Sequence, residues 1–338
     1  MGEFDIIKRY FSFGLNAAHS LHPEIITGVG DDCAVLDGAV LSDAGKLCVT
    51  TDTLVEGVHF FKDMRPEALG SKALAVNLSD LAAMGAKPAF FTLSLVLNDA
   101  HATEGFLKPF SEGLRKKAQE AHDMVLVGGN ISRGEEFSIT ITAFGYAPRP
   151  LLRTFSLTHS SKALILVTGT VGGAGLFVEH GYGRVTLSPG ETRSVQETFE
   201  YPPARWDFAR EAAPYCLAAI DISDGLYGDL RHLLGLGLKA SLKDSALPLH
   251  PVLKDLRTLT LEEKLRLALF GGCDYELLLI SRTEPEALGP LFEVAHKTGT
   301  PLTVIGALEK VQGAGGLIEL TDAHGQPLCV KGTAFEHF

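Results

Sequence analysis

Thr50-Thr51-Asp52-Thr53-Leu54-Val55-Glu56-Gly57-Val58-His59-Phe60 follows directly on the apolar run Leu47-Cys48-Val49. The run reads as a strand end and the stretch after it as a loop, the usual place for chemistry on an α/β scaffold. A surface turn needs a glycine and one Asx residue, whereas this stretch adds hydroxyls, two acids and an imidazole. Upstream lie Gly28-Val29-Gly30-Asp31-Asp32 and a strand-like Cys33–Leu36. Phe4, Ile7, Tyr10 and Phe11 before them fall at helical spacing.

Downstream, Arg65-Pro66 opens a long helix through Asp80 that stops at Gly85 and Pro88. Phe90–Leu97 is expected as a strand. Thr103 caps a helix running to about Ala121 with Leu107, Phe110 and Leu114 as its buried stripe. Met124–Val127 reads as a buried strand ending at Gly128-Gly129-Asn130, and Phe137–Tyr146 alternates as another. Pro148-Arg149-Pro150 marks a boundary, giving domains 1–149 and 150–338. The second half restarts with a strand at Ala163–Val167 and a glycine-rich turn from Gly169 to Gly175 leading into a helix that runs to Val178. A helix follows Tyr201-Pro202-Pro203, and Leu217–Ile222 is a strand entering Ser223-Asp224-Gly225. Strands at Tyr275–Ile280 and Leu302–Ile305 flank a helix from Glu284 to Lys297. Strands and helices alternate in both halves, so the class is α/β or mixed α+β, with helix-covered sheets.

The 338 residues favour two domains over one core. Net charge −11 argues against a nucleic-acid or anionic-membrane footprint, so any polyanion must be met through recruited cations. Five scattered cysteines indicate neither a zinc knuckle nor a disulfide framework. The charged N-terminus lacks a signal-type run and no stretch approaches a membrane span, so a cytoplasmic protein is expected.

Acids cluster at Asp31-Asp32, Asp52, Asp80, and Asp221 with Asp224. Asp80 sits among Leu78, Leu81, Ala82 and Met84. Buried there, it needs a partner or a metal; the alternative is a solvated helix face. Oxygen-only sets suit Mg2+ more than zinc, and Thr50, Thr51 and Ser223 add neutral oxygens. No P-loop, dinucleotide fingerprint or protein-kinase signature occurs. Gly128-Gly129-Asn130 and the Gly169–Gly175 turn remain as candidate phosphate cradles. His59 fits a structural or a chemical role equally.

GVGDDCAVL (Gly28 to Leu36), TTDTLVEGVHF (Thr50 to Phe60), KALAVNLSDLAAMGAKP (Lys72 to Pro88), DISDGL (Asp221 to Leu226) and GGCDYEL (Gly271 to Leu277) occur in that order. Together they resemble the thiamine-monophosphate kinase family of the aminoimidazole-ribonucleotide-synthetase-like (PurM-like) superfamily. The resemblance implies a two-domain fold and a homodimer whose N-terminal sheets join. It also implies that ATP and several Mg2+ ions phosphorylate thiamine monophosphate to thiamine diphosphate. Asp32, Thr50, Thr51, Asp52, Asp80, Asp221 and Asp224 match its Mg2+ ligands. Gly129, Asn130, Ser223 and Arg153 match nucleotide contacts, and His59 matches a substrate contact.

Three positions depart from that pattern. Asn130 stands where the family usually has Asp, Cys273 where a substrate-contacting Glu is usual, and Val330 where a tryptophan-like aromatic is expected; Phe335 is a potential substitute for the last. These leave two alternatives: a nucleotide-binding homologue with impaired turnover, or a related ATP-dependent enzyme acting on a different phosphorylated acceptor.

Overall fold

The computed structural model describes residues 6, 9–11, 24–27, 35–36, 45–157, 161–235, 237–312 and 316–332. Asp31, Asp32, Phe335 and most of the first helix expected from the sequence lie outside these residues. The chain divides into two compact units, 1–81 with 86–150 and 82–85 with 151–338.

In the first unit, β1 (Ile25–Thr27) pairs antiparallel with β2 (Val35–Leu36). The main sheet has four strands in the order β3-β6-β4-β5, with β3 at Lys46–Val55, β4 at Lys87–Leu97, β5 at Val125–Arg133 and β6 at Ser138–Ala147. Only β4 and β5 run parallel. Their crossover is helix α2 (Glu104–Glu120), while α1 (Pro66–Ala83) joins β3 to β4. Leu107, Phe110 and Leu114 are buried on α2 as the spacing predicts, although Thr103 caps it without a side-chain bond. Gly85 ends the α1 segment at φ 65°. Along β6, buried Ile139, Ile141 and Ala143 alternate with the half-buried Ser138, Thr140 and Thr142. Period-2 alternation of this kind is the mark of a sheet packed on one face.

Two readings of this unit change. The Thr50–Phe60 stretch is not a loop at a strand end, because β3 continues to Val55 in unbroken register with β6. Gly128-Gly129-Asn130 likewise lie inside β5. Gly128-Gly129-Asn130 extend because β4 offers ladder hydrogen bonds that local turn propensity does not outweigh, while the Thr and Val of Thr50–Val55 themselves favour the strand paired with β6.

The second unit has a seven-stranded sheet, β13-β12-β9-β11-β7-β10-β8. Its strands are β7 (Lys162–Thr168), β8 (Cys216–Asp221), β9 (Leu238–Lys243), β10 (Leu277–Ser281), β11 (Leu302–Lys310), β12 (Leu317–Thr321) and β13 (Pro327–Leu328). Helices α3 (Gly173–Gly181), α4 (Pro189–Glu200), α5 (Trp206–Ala212), α6 (Leu226–Leu233), α7 (Pro251–Asp255), α8 (Leu261–Phe270) and α9 (Pro285–Lys297) complete it. Strand β10 explains the layering. Leu278 and Ile280 pack with Leu226, Leu230 and Leu265, whereas Leu277 and Leu279 pack with Phe208, Ala212 and Leu291. Helices therefore cover both faces, and the strand is apolar without alternation. Helix α4 was not apparent from hydrophobic pattern, yet its Ser188 and Glu191 form a capping box. Among the described residues no helix is long and apolar enough to cross a membrane.

Candidate active site

Pleating sorts the hydroxyls of β3. Cys48 and Leu54 are buried, and on the same side Thr50 Oγ1 donates to Asp80 Oδ2 of α1 at 2.5 Å. Asp52 shares that parity, and its carboxyl lies close enough to that of Asp80 for the two to interact. Burial pushes the Asp52 carboxyl up first, and the Asp80 charge pushes it further. Asp80 itself is half-buried between the fully buried Leu78 and Leu81, so it is not on a solvated helix face.

Thr51 points the other way. Its Oγ1 donates to the Ile141 carbonyl at 3.1 Å and lies 3.1 Å from Thr142 Oγ1. Its hydroxyl is therefore not beside Asp80, because a strand turns successive side chains to opposite faces.

An all-oxygen set of two carboxyls and a hydroxyl fits Mg2+, since a cation would relieve the repulsion that raises Asp52. Among the described residues no group of three or more His, Cys, Asp or Glu is arranged to hold a metal. The pair is thus a partial ligand set, of the kind Mg2+ completes with water and substrate phosphate.

Beyond β3 the chain turns at Glu56–Phe60, where the Gly57 N–H donates to the Phe60 carbonyl at 2.8 Å. The Val55 N–H donates to His59 Nδ1 at 3.0 Å, which leaves the proton of the neutral ring on Nε2. The turn is anchored by His101, whose Nε2 lies 3.3 Å from Glu56 Oε1 and whose ring stacks on Phe137 at 4.1 Å. Burial lowers the His101 pKa, against the raising effect of Glu56.

Asn130 is exposed on β5, its Nδ2 donating to Ser132 Oγ at 2.9 Å. Gly129 has a structural reason to lack a side chain: a Cβ would come within 1.9 Å of the Leu93 carbonyl oxygen on β4.

In the second unit, Asp221 is buried at the end of β8, and Ser223 and Asp224 are half-buried. This loop runs beside the segment that contains Cys273. The Cys273 N–H donates to the Ser223 carbonyl at 2.7 Å, Tyr275 to Ile222 at 2.8 Å, and Ile222 to Glu276 at 2.8 Å. Cys273 and Tyr275 adopt φ of 59° and 50°, a strained backbone for side-chain-bearing residues. Val330, like Phe270, packs against the core cluster that contains Leu226, Leu265 and Leu278, and Arg153 is exposed in the segment after Pro150.

The Gly169–Gly175 turn does not offer its amides as a phosphate cradle. Gly172 and Ala174 donate to the two oxygens of the buried Asp274, at 2.8 and 3.4 Å. Burial pushes Asp274 up to about 7 against those amide bonds. Glu276, also buried, accepts from Arg205 Nε and Nη2 at 2.8 Å each and from Thr168 Oγ1 at 2.6 Å.

Sequence reasoning missed Asp229 and Asp274. Asp229 is buried near the start of α6 and accepts the Asp224 N–H at 3.2 Å; burial and then the Asp224 charge push it up to about 7. An acid in the first turn of a helix was the available signal for Asp229. Asp274 carries no local signal, since the amides it meets are some hundred residues away in sequence.

The sheet and its acid–hydroxyl group define a class: residues 30–147 match the family of the AIR synthase related protein, N-terminal domain. Over its whole length the chain is 37% identical to the thiamine-monophosphate kinase of Salmonella typhimurium, with 100% of this chain and 98% of that protein aligned. The chain belongs to the thiamine-monophosphate kinase family. The crystal structure of thiamine-monophosphate kinase from Stenotrophomonas maltophilia matches with TM-score 0.80 and 32% identity, covering 97% of this chain and 98% of that one. AaThiL complexed with AMPPCP and TMP matches with TM-score 0.72 and 28% identity over 100% and 97% of the two chains.

Proposed function

We propose that the chain transfers the terminal phosphoryl group of ATP to thiamine monophosphate, yielding thiamine diphosphate and ADP. The observation that carries this is the Asp52–Asp80 pair, two carboxyls pressed together beside Thr50 in a family of kinases. Bringing two phosphates together is chiefly a problem of charge neutralisation and alignment. Mg2+, when bound, would supply the positive charge that offsets the repulsion between the phosphates. Asp52, Asp80 and Thr50 would hold it within the first unit; Asp32, outside the described residues, is a further proposed ligand, and Asp221 and Asp224 are a separate proposed set within the second unit.

Gly129, Asn130, Arg153 and Ser223 are assigned to the nucleotide, and His59, Cys273 and Val330 to the acceptor. His59 presents Nε2–H as a donor, fixed by the Val55 bond. The acceptor phosphate, with a second pKa of about 6, is already ionised at neutral pH, so no general base is required.

A homodimer is supported by the less covered face of the first unit's sheet, where Leu47 and Val49 are 48% and 55% exposed beside Thr51 and Thr53. A cytoplasmic location agrees with the absence of a membrane-length apolar helix among the described residues.

The test is ADP and thiamine diphosphate formation by purified protein with ATP, Mg2+ and a panel of phosphorylated acceptors. Turnover only with another acceptor would overturn the substrate assignment. Binding of a non-hydrolysable ATP analogue without turnover on any acceptor would favour the impaired homologue that Asn130, Cys273 and Val330 suggest.

A further inference from the structure

Asp229 belongs to none of the groups assigned above, yet it is 3% exposed directly behind the Ser223-Asp224-Gly225 loop. Its Oδ2 accepts the Asp224 N–H at 3.2 Å, and the neighbouring N–H groups of Ser223 and Gly225 lie close enough to favour its charged form. The loop amides thus face one side chain. Cys273 and Tyr275 hold the other side of the loop through the Ser223 and Ile222 carbonyls. Gly225 completes the arrangement at φ 116°, where a Cβ would meet the Leu269 carbonyl oxygen at 2.8 Å. The backbone is gripped from both sides, while the side chains of Ser223 and Asp224 remain half-buried.

Taking Asp224 as an Mg2+ ligand, which rests on the function proposed above, we infer that Asp229 is a positioning residue that presets the Asp224 carboxylate by binding the loop amides. A carboxylate suits this task because its two oxygens accept several N–H bonds at once. The isosteric carboxamide offers one oxygen and turns an NH2 group toward amides that are themselves donors. Asp229 acts through the loop and needs no contact with nucleotide or acceptor.

The experiment pairs Asp229→Asn with amide exchange on the unaltered protein, using Mn2+ as the metal probe. By electron paramagnetic resonance, Asp229→Asn should bind Mn2+ about tenfold more weakly, the scale seen when groups orienting a metal ligand are lost. Its turnover should recover as Mg2+ is raised, with the KM for thiamine monophosphate unchanged; a merely structural lesion would not be rescued. In the unaltered protein without metal, the amides of Ser223, Asp224 and Gly225 should exchange more slowly than those of exposed Leu152, Arg153 and Thr154. A folded Asp229→Asn with unaltered Mn2+ affinity overturns the inference. So does fast exchange of the three amides until metal is added, which decides the matter even if the variant does not fold. Mn2+ binding and exchange are read without acceptor, so failure of the substrate assignment would show separately in the turnover assay.

Discussion

The raised carboxyls of both units are pushed up first by burial and further by a neighbouring acid, but they differ in what answers their charge. In the first, burial and a second carboxyl push Asp52 up, and the relief on offer is a cation. In the second, Asp274 and Asp229 are raised chiefly by burial, while backbone amides already partly stabilise their charged forms. Glu276 is answered still more fully, by Arg205 and Thr168. Perturbation alone therefore does not mark a functional acid. What separates the two kinds is whether the protein supplies the counter-dipoles itself or leaves part of the task to a ligand.

The largest effect that would break this contrast is kinetic. Asp80→Asn should lower kcat about a thousandfold, in the range for losing a main electrostatic stabiliser of the transition state. His59→Ala should cost less, because it removes a substrate contact and no charge; steady-state kinetics giving equal residual rates would erase the division of roles. Next comes stability. Arg205→Ala leaves the Glu276 carboxylate, 7% exposed at its side chain, without its bidentate partner. Urea unfolding should show a loss of about 3 kcal/mol.

A subtler effect is the pH dependence of folding. Asp274 has a native pKa raised from 3.8 to about 7, so the folded chain holds this proton more tightly than the unfolded one. Its contribution to stability is full below the unfolded value and is lost as pH rises through that window. Asp274→Asn should flatten that part of the curve, measured by chemical denaturation at successive pH values; an unchanged slope would show that amide bonds cancel the burial. The smallest effect concerns Asn130. Asn130→Asp adds a charged oxygen and should lower the Mg2+ concentration for half-maximal rate a few-fold, by about 1 kcal/mol or less, as ligand charge tunes affinity. An unmoved Mg2+ titration would remove this position from the metal's surroundings.

Much of the fold was legible from local pattern. Helix α1 begins at Pro66 and its segment closes at Gly85, and the strand expected at Tyr275–Ile280 is found as β10, Leu277–Ser281. Two of the errors share a cause. Gly128–Asn130 have turn-like composition but extend because β4 pairs with them, whereas Thr50–Val55 is polar like a loop yet rich in Thr and Val that suit the strand β6 pairs with. The Gly169–Gly175 turn has the composition of a phosphate cradle but is occupied by Asp274. In both glycine-rich cases a partner distant in the chain overrode a short-range preference.

By itself the sequence determined the alternation of strands and helices, the oxygen-rich and cysteine-poor character of the site, and the ordered motifs that carry the family. Those follow from residue type and spacing. Only the tertiary structure decided that Thr50 and not the Thr51 hydroxyl joins Asp80, that Asp274 fills helix-start amides, and that Glu276 is committed to Arg205. The reason is that strand parity and hydrogen-bond partnership are set across 30 to 100 residues of chain, where pleating and packing, not neighbouring sequence, choose which atoms meet.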